Sequence, residues 1–79
     1  MFVPVEYRTL FLGDLSVHCS EIDIRQAFQP FGIIEQIRLK HASVNKTVSY
    51  GFITFVYRED AVSAMENLNG TLFLGRMLR

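Results

Sequence analysis

The stretch Tyr50-Gly51-Phe52-Ile53-Thr54-Phe55 constrains this chain more than any other. Its residues are strong strand formers, and in a strand alternate side chains point to opposite faces. One face receives Gly51, Ile53 and Phe55; the other receives Tyr50, Phe52 and Thr54. The run Thr9-Leu10-Phe11-Leu12-Gly13, which Asp14 and a polar loop are expected to end, divides in the same way. Leu10 and Leu12 fall on one side of it and Phe11 on the other. Strands apolar on both faces belong to a sheet covered on both sides. What the rest of the chain offers as cover therefore decides what is left exposed.

Two helices can be read. Ser20 is placed as an N-cap, with Asp23 in capping-box position and Glu21 in the first turn. Cys19 and Ile24 occupy the positions of a hydrophobic staple. Ile24, Ala27, Phe28 and Phe31 then recur at helical spacing until Pro30 and Gly32 end the helix. A second stripe, Ala61, Ala64, Met65 and Leu68, is closed by Asn69-Gly70. No Ser, Thr, Asp or Asn stands at its expected N-cap, so this helix is expected to start less sharply.

Ile34 to Lys40 reads as a strand with Ile37 and Leu39 inward and Gln36, Arg38 and Lys40 outward. The odd step from Ile34 to Ile37 predicts a bulge near Glu35. His41 to Ser49 reads as a loop, and a last strand starts at Arg76 after a turn around Gly75. The order β-α-β-β-α-β defines an α+β, ferredoxin-like fold with two helices on one face of a four-stranded antiparallel sheet.

Two helices of about three turns each cover only one sheet face. Leu10, Leu12, Ile53 and Phe55 belong with them, which leaves Phe11, Tyr50 and Phe52 on the open side. An exposed aromatic cluster marks an interaction surface. Ordinary core packing of strand aromatics, or burial against a second copy, are the competing readings.

The chain's 79 residues suffice for one small domain, expected over residues 9–79 after an extension at 1–8. A single cysteine excludes an internal disulfide, and neither a signal peptide nor a membrane-length apolar run is present. The expected location is intracellular, with nucleus and cytoplasm undistinguished. Asn45-Lys46-Thr47 and Asn69-Gly70-Thr71 match the glycosylation pattern and are discounted without a signal peptide. His18 beside Cys19 lacks further ligands at suitable spacing, so neither a metal site nor a catalytic pair is expected.

Eight Lys and Arg balance eight Asp and Glu, which on its face argues against a nucleic-acid partner. By segment the picture changes. Residues 20–35 and 58–70, which hold the helices, each carry two net negative charges. Residues 36–57 carry three net positive charges, from Arg38, Lys40 and Lys46, and residues 71–79 carry two, from Arg76 and Arg79.

Leu10-Phe11-Leu12-Gly13-Asp14-Leu15 resembles the RNP2 hexamer of the RNA recognition motif, and Val48-Ser49-Tyr50-Gly51-Phe52-Ile53-Thr54-Phe55 resembles its RNP1 octamer. The resemblance runs from about Arg8 to the C-terminus. It implies non-catalytic binding of short single-stranded RNA, or single-stranded DNA, with no metal and no cofactor. Phe11 and Phe52 match the rings on which successive bases stack, and Tyr50 the ring that packs against the sugars. Gln36, Arg38, Lys40, Thr9 and Asp14 are the nearest candidates for base choice. Arg38, Lys40, Lys46 and Arg79 are the expected phosphate partners. Neutralising about three to five phosphates on a single strand would give a log K against log salt slope of roughly −2 to −3.5.

Three positions depart from the pattern. Val48 stands where RNP1 opens with Arg or Lys, Ser49 replaces the following Gly, and Asp14 stands where Asn is common in RNP2. Binding weaker and less salt-sensitive than in a typical member is the consequence, with Lys46 as a substitute cation. A rival reading is a peptide partner, met on the sheet or on the helical side through Ile22, Val62 and Leu72. The family variant that captures a peptide tryptophan carries Arg-x-Phe where this chain has Thr71-Leu72-Phe73-Leu74. Ferredoxin-like acylphosphatases need an Arg-bearing loop after the first strand, and metal-binding domains need paired cysteines. Neither is met, so no enzyme is expected. The expected state is a monomer, cut from a longer protein with its last strand ending short at Arg79.

Overall fold

The computed structural model describes the backbone of residues 8–41, 48–73 and 76–77, and the side chains of residues 8–40 and 49–71. Its elements are β1 (Thr9–Ser16), α1 (Glu21–Phe28) followed by a 3-10 turn (Gln29–Phe31), β2 (Ile34–His41), β3 (Val48–Phe55), α2 (Arg58–Leu68), β4 (Leu72–Phe73) and β5 (Arg76–Met77). The order of the major elements is the ferredoxin-like one expected. β3 is central, pairing antiparallel with β1 on one side and β2 on the other. β5 starts at Arg76, where the last strand was expected, and lies next to β1, but among the described residues it pairs with the short β4 in a separate two-stranded sheet, so the main sheet described is three-stranded.

Helix α1 begins where the sequence signals it. The Ser20 hydroxyl accepts from the Asp23 N–H at 3.3 Å, and the Asp23 carboxylate accepts from the Ser20 N–H at 2.9 Å. The Ser20 N–H first, and second the Ser20 hydroxyl, which donates to the same carboxylate at 2.9 Å, hold the Asp23 carboxyl below its ordinary pKa. Helix α2 has no such device: its N-cap is Tyr57, with no side-chain capping bond. It ends at Leu68 with Asn69 as its C-cap, and Gly70 at φ 85° takes a left-handed turn that favours glycine.

The helices bury one sheet face. Leu10, Leu12, Leu15, Ile53 and Phe55 from the strands meet Ile24, Phe28, Ala61 and Ala64 from the helices, with Cys19 beneath the α1 entry. Ile34, Ile37 and Leu39 pack partly buried against this core. Two alanines on α2 let that helix lie close to the sheet. Gly32, after the 3-10 turn, leaves room for the Asp60 carboxylate at the start of α2, where a Cβ would collide with it.

Both odd steps in the strand pattern are bulges. In β2, Ile34 pairs with Phe55 but Gln36 with Thr54, so Glu35 is the extra residue, as expected. In β1, Leu12 pairs with Gly51 and Leu15 with Ser49, so Gly13 and Asp14 together oppose Tyr50. The first strand therefore does not stop at Asp14, as the sequence pattern led us to expect. Asp14 turns to φ 59°, a conformation Asp tolerates, and the strand resumes. The extra residue reverses the alternation, so Leu15 joins Leu10 and Leu12 in the core instead of pointing out with Phe11.

β3 also starts earlier than expected, at Val48 rather than Tyr50. Ser49 is almost wholly buried, and its hydroxyl donates to the Ser16 carbonyl at 2.9 Å. That bond ties the start of β3 to the end of β1 and satisfies a polar group that would otherwise be costly to bury. At the opposite end, Arg8 donates through Nη1 to the Phe55 carbonyl at 3.0 Å and to Glu35 at 3.1 Å, bracing the β2 bulge. Arg8 is thereby engaged in the scaffold.

Candidate nucleic-acid interface

The sheet face opposite the helices holds a grid set by strand register. One row across β1, β3 and β2 is Thr9–Thr54–Gln36, and the next is Phe11–Phe52–Arg38. The third is the Gly13-Asp14 bulge, then Tyr50, then Lys40. Adjacent strands lie about 4.8 Å apart and same-face neighbours along a strand about 6.7 Å apart, so the grid spans a few nucleotides.

The three rings form a closed triangle. Ring centroids are 5.4 Å apart for Phe11 and Phe52, 6.0 Å for Phe11 and Tyr50, and 6.2 Å for Tyr50 and Phe52. Two of the contacts are edge-to-face, the arrangement ring quadrupoles prefer, worth about 0.5–1.5 kcal/mol per pair beyond area burial. Each ring is only half-buried and keeps an accessible surface. Gly13 borders the cluster: a Cβ there would lie 3.1 Å from Phe11 Cε2, so a larger residue would make the ring give by a few tenths of an ångström.

Polar groups surround the triangle unevenly. Arg38 and Lys40 are exposed along β2, Arg38 opposite Phe52 and Lys40 opposite Tyr50. The row beyond Phe52 is neutral: the Thr9 and Thr54 hydroxyls share a 2.9 Å hydrogen bond, and Gln36 is exposed beside Thr54. Asp14 stands on the bulge that opposes Tyr50.

Of the residues expected at the site, the structure thus brings together Phe11, Tyr50, Phe52, Gln36, Arg38 and Lys40 on one face. Lys46 and Arg79 lie outside the described residues. Thr54 and Gly13 were not singled out by the sequence as site residues. Alternation alone puts Thr54 on the open face, but only the register shows that it meets Thr9.

Among the described residues there is no group of three or more His, Cys, Asp or Glu able to hold a metal ion. No described helix is long and apolar enough to cross a membrane. The Cys19 thiol is pushed up to about 11, first by burial and then by the Asp23 carboxylate, so it stays protonated at neutral pH.

A sheet backed by two helices, with an aromatic triangle on its other face, is the arrangement of an RRM-type domain. The family model of the RNA recognition motif matches residues 10–79, and the chain belongs to that family. It is similar to the human probable RNA-binding protein 23, with 41% identity over 71 residues, which cover 89% of this chain and 16% of that protein. It is also similar to the cytotoxic granule-associated RNA binding protein tiar-1 of Caenorhabditis elegans, 38% identical over 68 residues, or 85% of this chain and 16% of that one. The chain thus spans about a sixth of the length of these two relatives.

Among solved structures, the first two RRM domains of the yeast poly(U) binding protein Pub1 match with a TM-score of 0.76 and 32% identity, over 90% of this chain and 44% of that one. The Mip6 RRM3 domain superposes with a TM-score of 0.83 at 21% identity, over 91% and 87% of the two chains, and speaks to the fold alone.

Proposed function

We propose that this domain binds a short single-stranded RNA of about two to four nucleotides across the open face of its sheet. Two successive bases stack on Phe11 and Phe52, the intervening sugars pack against Tyr50, and Arg38 and Lys40 attract the phosphates. The reading assigns no catalytic residue and no cofactor. One observation carries it: three half-buried rings, mutually in contact, on the face away from both helices. An exposed aromatic cluster of this kind marks an interaction surface. The similarity to a yeast poly(U) binding protein makes U-rich oligomers the natural first probe.

The test compares affinities of the unaltered chain, Phe11→Ala and Phe52→Ala for U-rich and A-rich oligomers. Loss of a stacked base costs about 1–3 kcal/mol, or about 5- to 150-fold in Kd. Each variant should lose that much for both sequences, because stacking tolerates any base. Equal affinity of variant and parent would contradict the proposal.

A second reading, a peptide held on the helical side, rests on a shallow depression along α2 formed by Arg58, Glu59, Val62, Ser63 and Glu66. Capture of a protein that survives RNase and is lost on changing Val62 would favour it over RNA.

A further inference from the structure

β2 lies at an edge of the sheet. The strand order is β1-β3-β2, so Ile34–His41 pairs with β3 on one side and with no described strand on the other. Alternate residues of such a strand turn their N–H and C=O groups away from the partner it already has. After the Glu35 bulge the register runs unbroken from Gln36, opposite Thr54, to His41, opposite Ser49. We propose that this edge, Gln36 to His41, takes an extended acidic segment of another protein as a further strand. The inference does not depend on RNA binding, although it uses two of the same cations.

Side-chain chemistry along the edge selects the partner. Arg38 and Lys40 stand two positions apart on the open face, both exposed, and among the described residues neither joins an ion pair. Residues directly opposite each other on neighbouring strands share a face, with Cβ atoms about 4.5–5.5 Å apart. Two carboxylates at alternate positions of an incoming strand therefore meet both cations. On the helix side, Ile37 and Leu39 pack only partly buried against the core. Apolar β-branched residues at the intervening positions of the new strand cover what these two leave open. The pattern that fits is acidic and apolar in alternation. Glu35 sets its limit: the bulge breaks the register there, and its carboxylate, held by Arg8, repels a further acidic residue.

A second copy of this chain fits the edge poorly. A twofold β2–β2 pairing centred on Arg38 or Leu39 keeps both open faces on one side only by setting cation against cation, Arg38 opposite itself or opposite Lys40. Charges and bulges of this kind protect an edge against like strands, and they leave an oppositely charged strand admissible.

The test is an NMR titration of the chain with an acetylated, amidated peptide of alternating Glu and Val, long enough to span Gln36 to His41, alongside its Lys–Val counterpart. The Glu–Val peptide should shift the amides from Gln36 to His41 and slow hydrogen exchange at alternate residues among them, with Val62 and Ser63 on α2 unmoved. Two N-methylated forms, one methylated on every Glu nitrogen and one on every Val nitrogen, separate strand pairing from charge attraction. One form should lose binding and the other keep it, because only one set of N–H groups faces β2. Arg38→Gln/Lys40→Gln removes both ion pairs from exposed positions and should weaken binding by about two- to thirtyfold. No shift along β2 at millimolar peptide, like behaviour of the two N-methylated forms, or equal binding of the Lys–Val peptide overturns the proposal. So do β2 shifts that track protein concentration without peptide, because a second copy then holds the edge.

Discussion

Phe11 on β1 and Phe52 on β3 are direct cross-strand partners, and their rings meet at 61° with centroids 5.4 Å apart. The pair joins the two motif segments, 41 positions apart in sequence, into one surface. Neighbouring residues of the sheet can be altered one at a time.

Gly13 is the first of these. Because a Cβ there would lie 3.1 Å from Phe11 Cε2, Gly13→Ala should tilt the ring rather than disturb the core. Stability should change by less than about 1 kcal/mol, since alanine also restricts the unfolded chain. Affinity for U-rich RNA should fall by about three- to tenfold, part of the worth of one stacked base. Thermal unfolding and a fluorescence titration check the two halves of this expectation.

Ser49 tests the scaffold without touching the rings. Its buried hydroxyl donates to the Ser16 carbonyl, which also accepts from the Cys19 N–H at 3.0 Å. Ser49→Ala removes one of the two bonds and leaves that carbonyl partnered. The expected loss is about 0.5–1.5 kcal/mol in denaturant unfolding. RNA affinity of the folded variant should remain within about twofold, since the stacking groups are unaltered.

Asp14 places a carboxylate beside the Tyr50 row. Asn tolerates the same left-handed backbone, so Asp14→Asn should keep the bulge at φ 59° while removing the charge. Affinity should rise by about two- to fivefold at low ionic strength, with the gain shrinking as salt screens it. Titrations at two salt concentrations measure both effects.

The Cys19 thiol makes a pH-dependent prediction. Its folded pKa, near 11, lies above the ordinary 9.0, so below about pH 9 the thiol is protonated in both states and stability is unaffected. As pH rises from about 9 to about 11 the unfolded thiol ionises first, and stability falls. Cys19→Ala should flatten that alkaline decline. In the unaltered protein at pH 8, a thiol reagent should react slowly, and rapidly once denaturant unfolds the chain.

Much of this was legible in the residues. The odd and even positions of Tyr50 to Phe55 separate core from platform because a strand's period is two, and the capping box at Ser20 and Asp23 marks its helix through local bonds alone. The β1 bulge was missed for a physical reason. Gly13-Asp14 is a turn-forming pair, and its local preference reads as a stop unless the pairing of Leu15 with Ser49 is known. Yet the step from Leu12 to Leu15 is odd, like that from Ile34 to Ile37, and the same argument applied there would have found it. The Thr9–Thr54 bond depends on register between segments 45 positions apart, which no local pattern carries. β4, two residues long, is too short to show any period.

The most direct test of the central claim is an NMR titration of the domain with short U-rich and purine-rich RNA pools. The account predicts shifts in the ring resonances of Phe11, Tyr50 and Phe52 and in the amides of Gln36, Arg38 and Lys40, with Val62 and Ser63 on α2 unmoved. If both pools leave the three rings unmoved, the open face is not the RNA-binding surface.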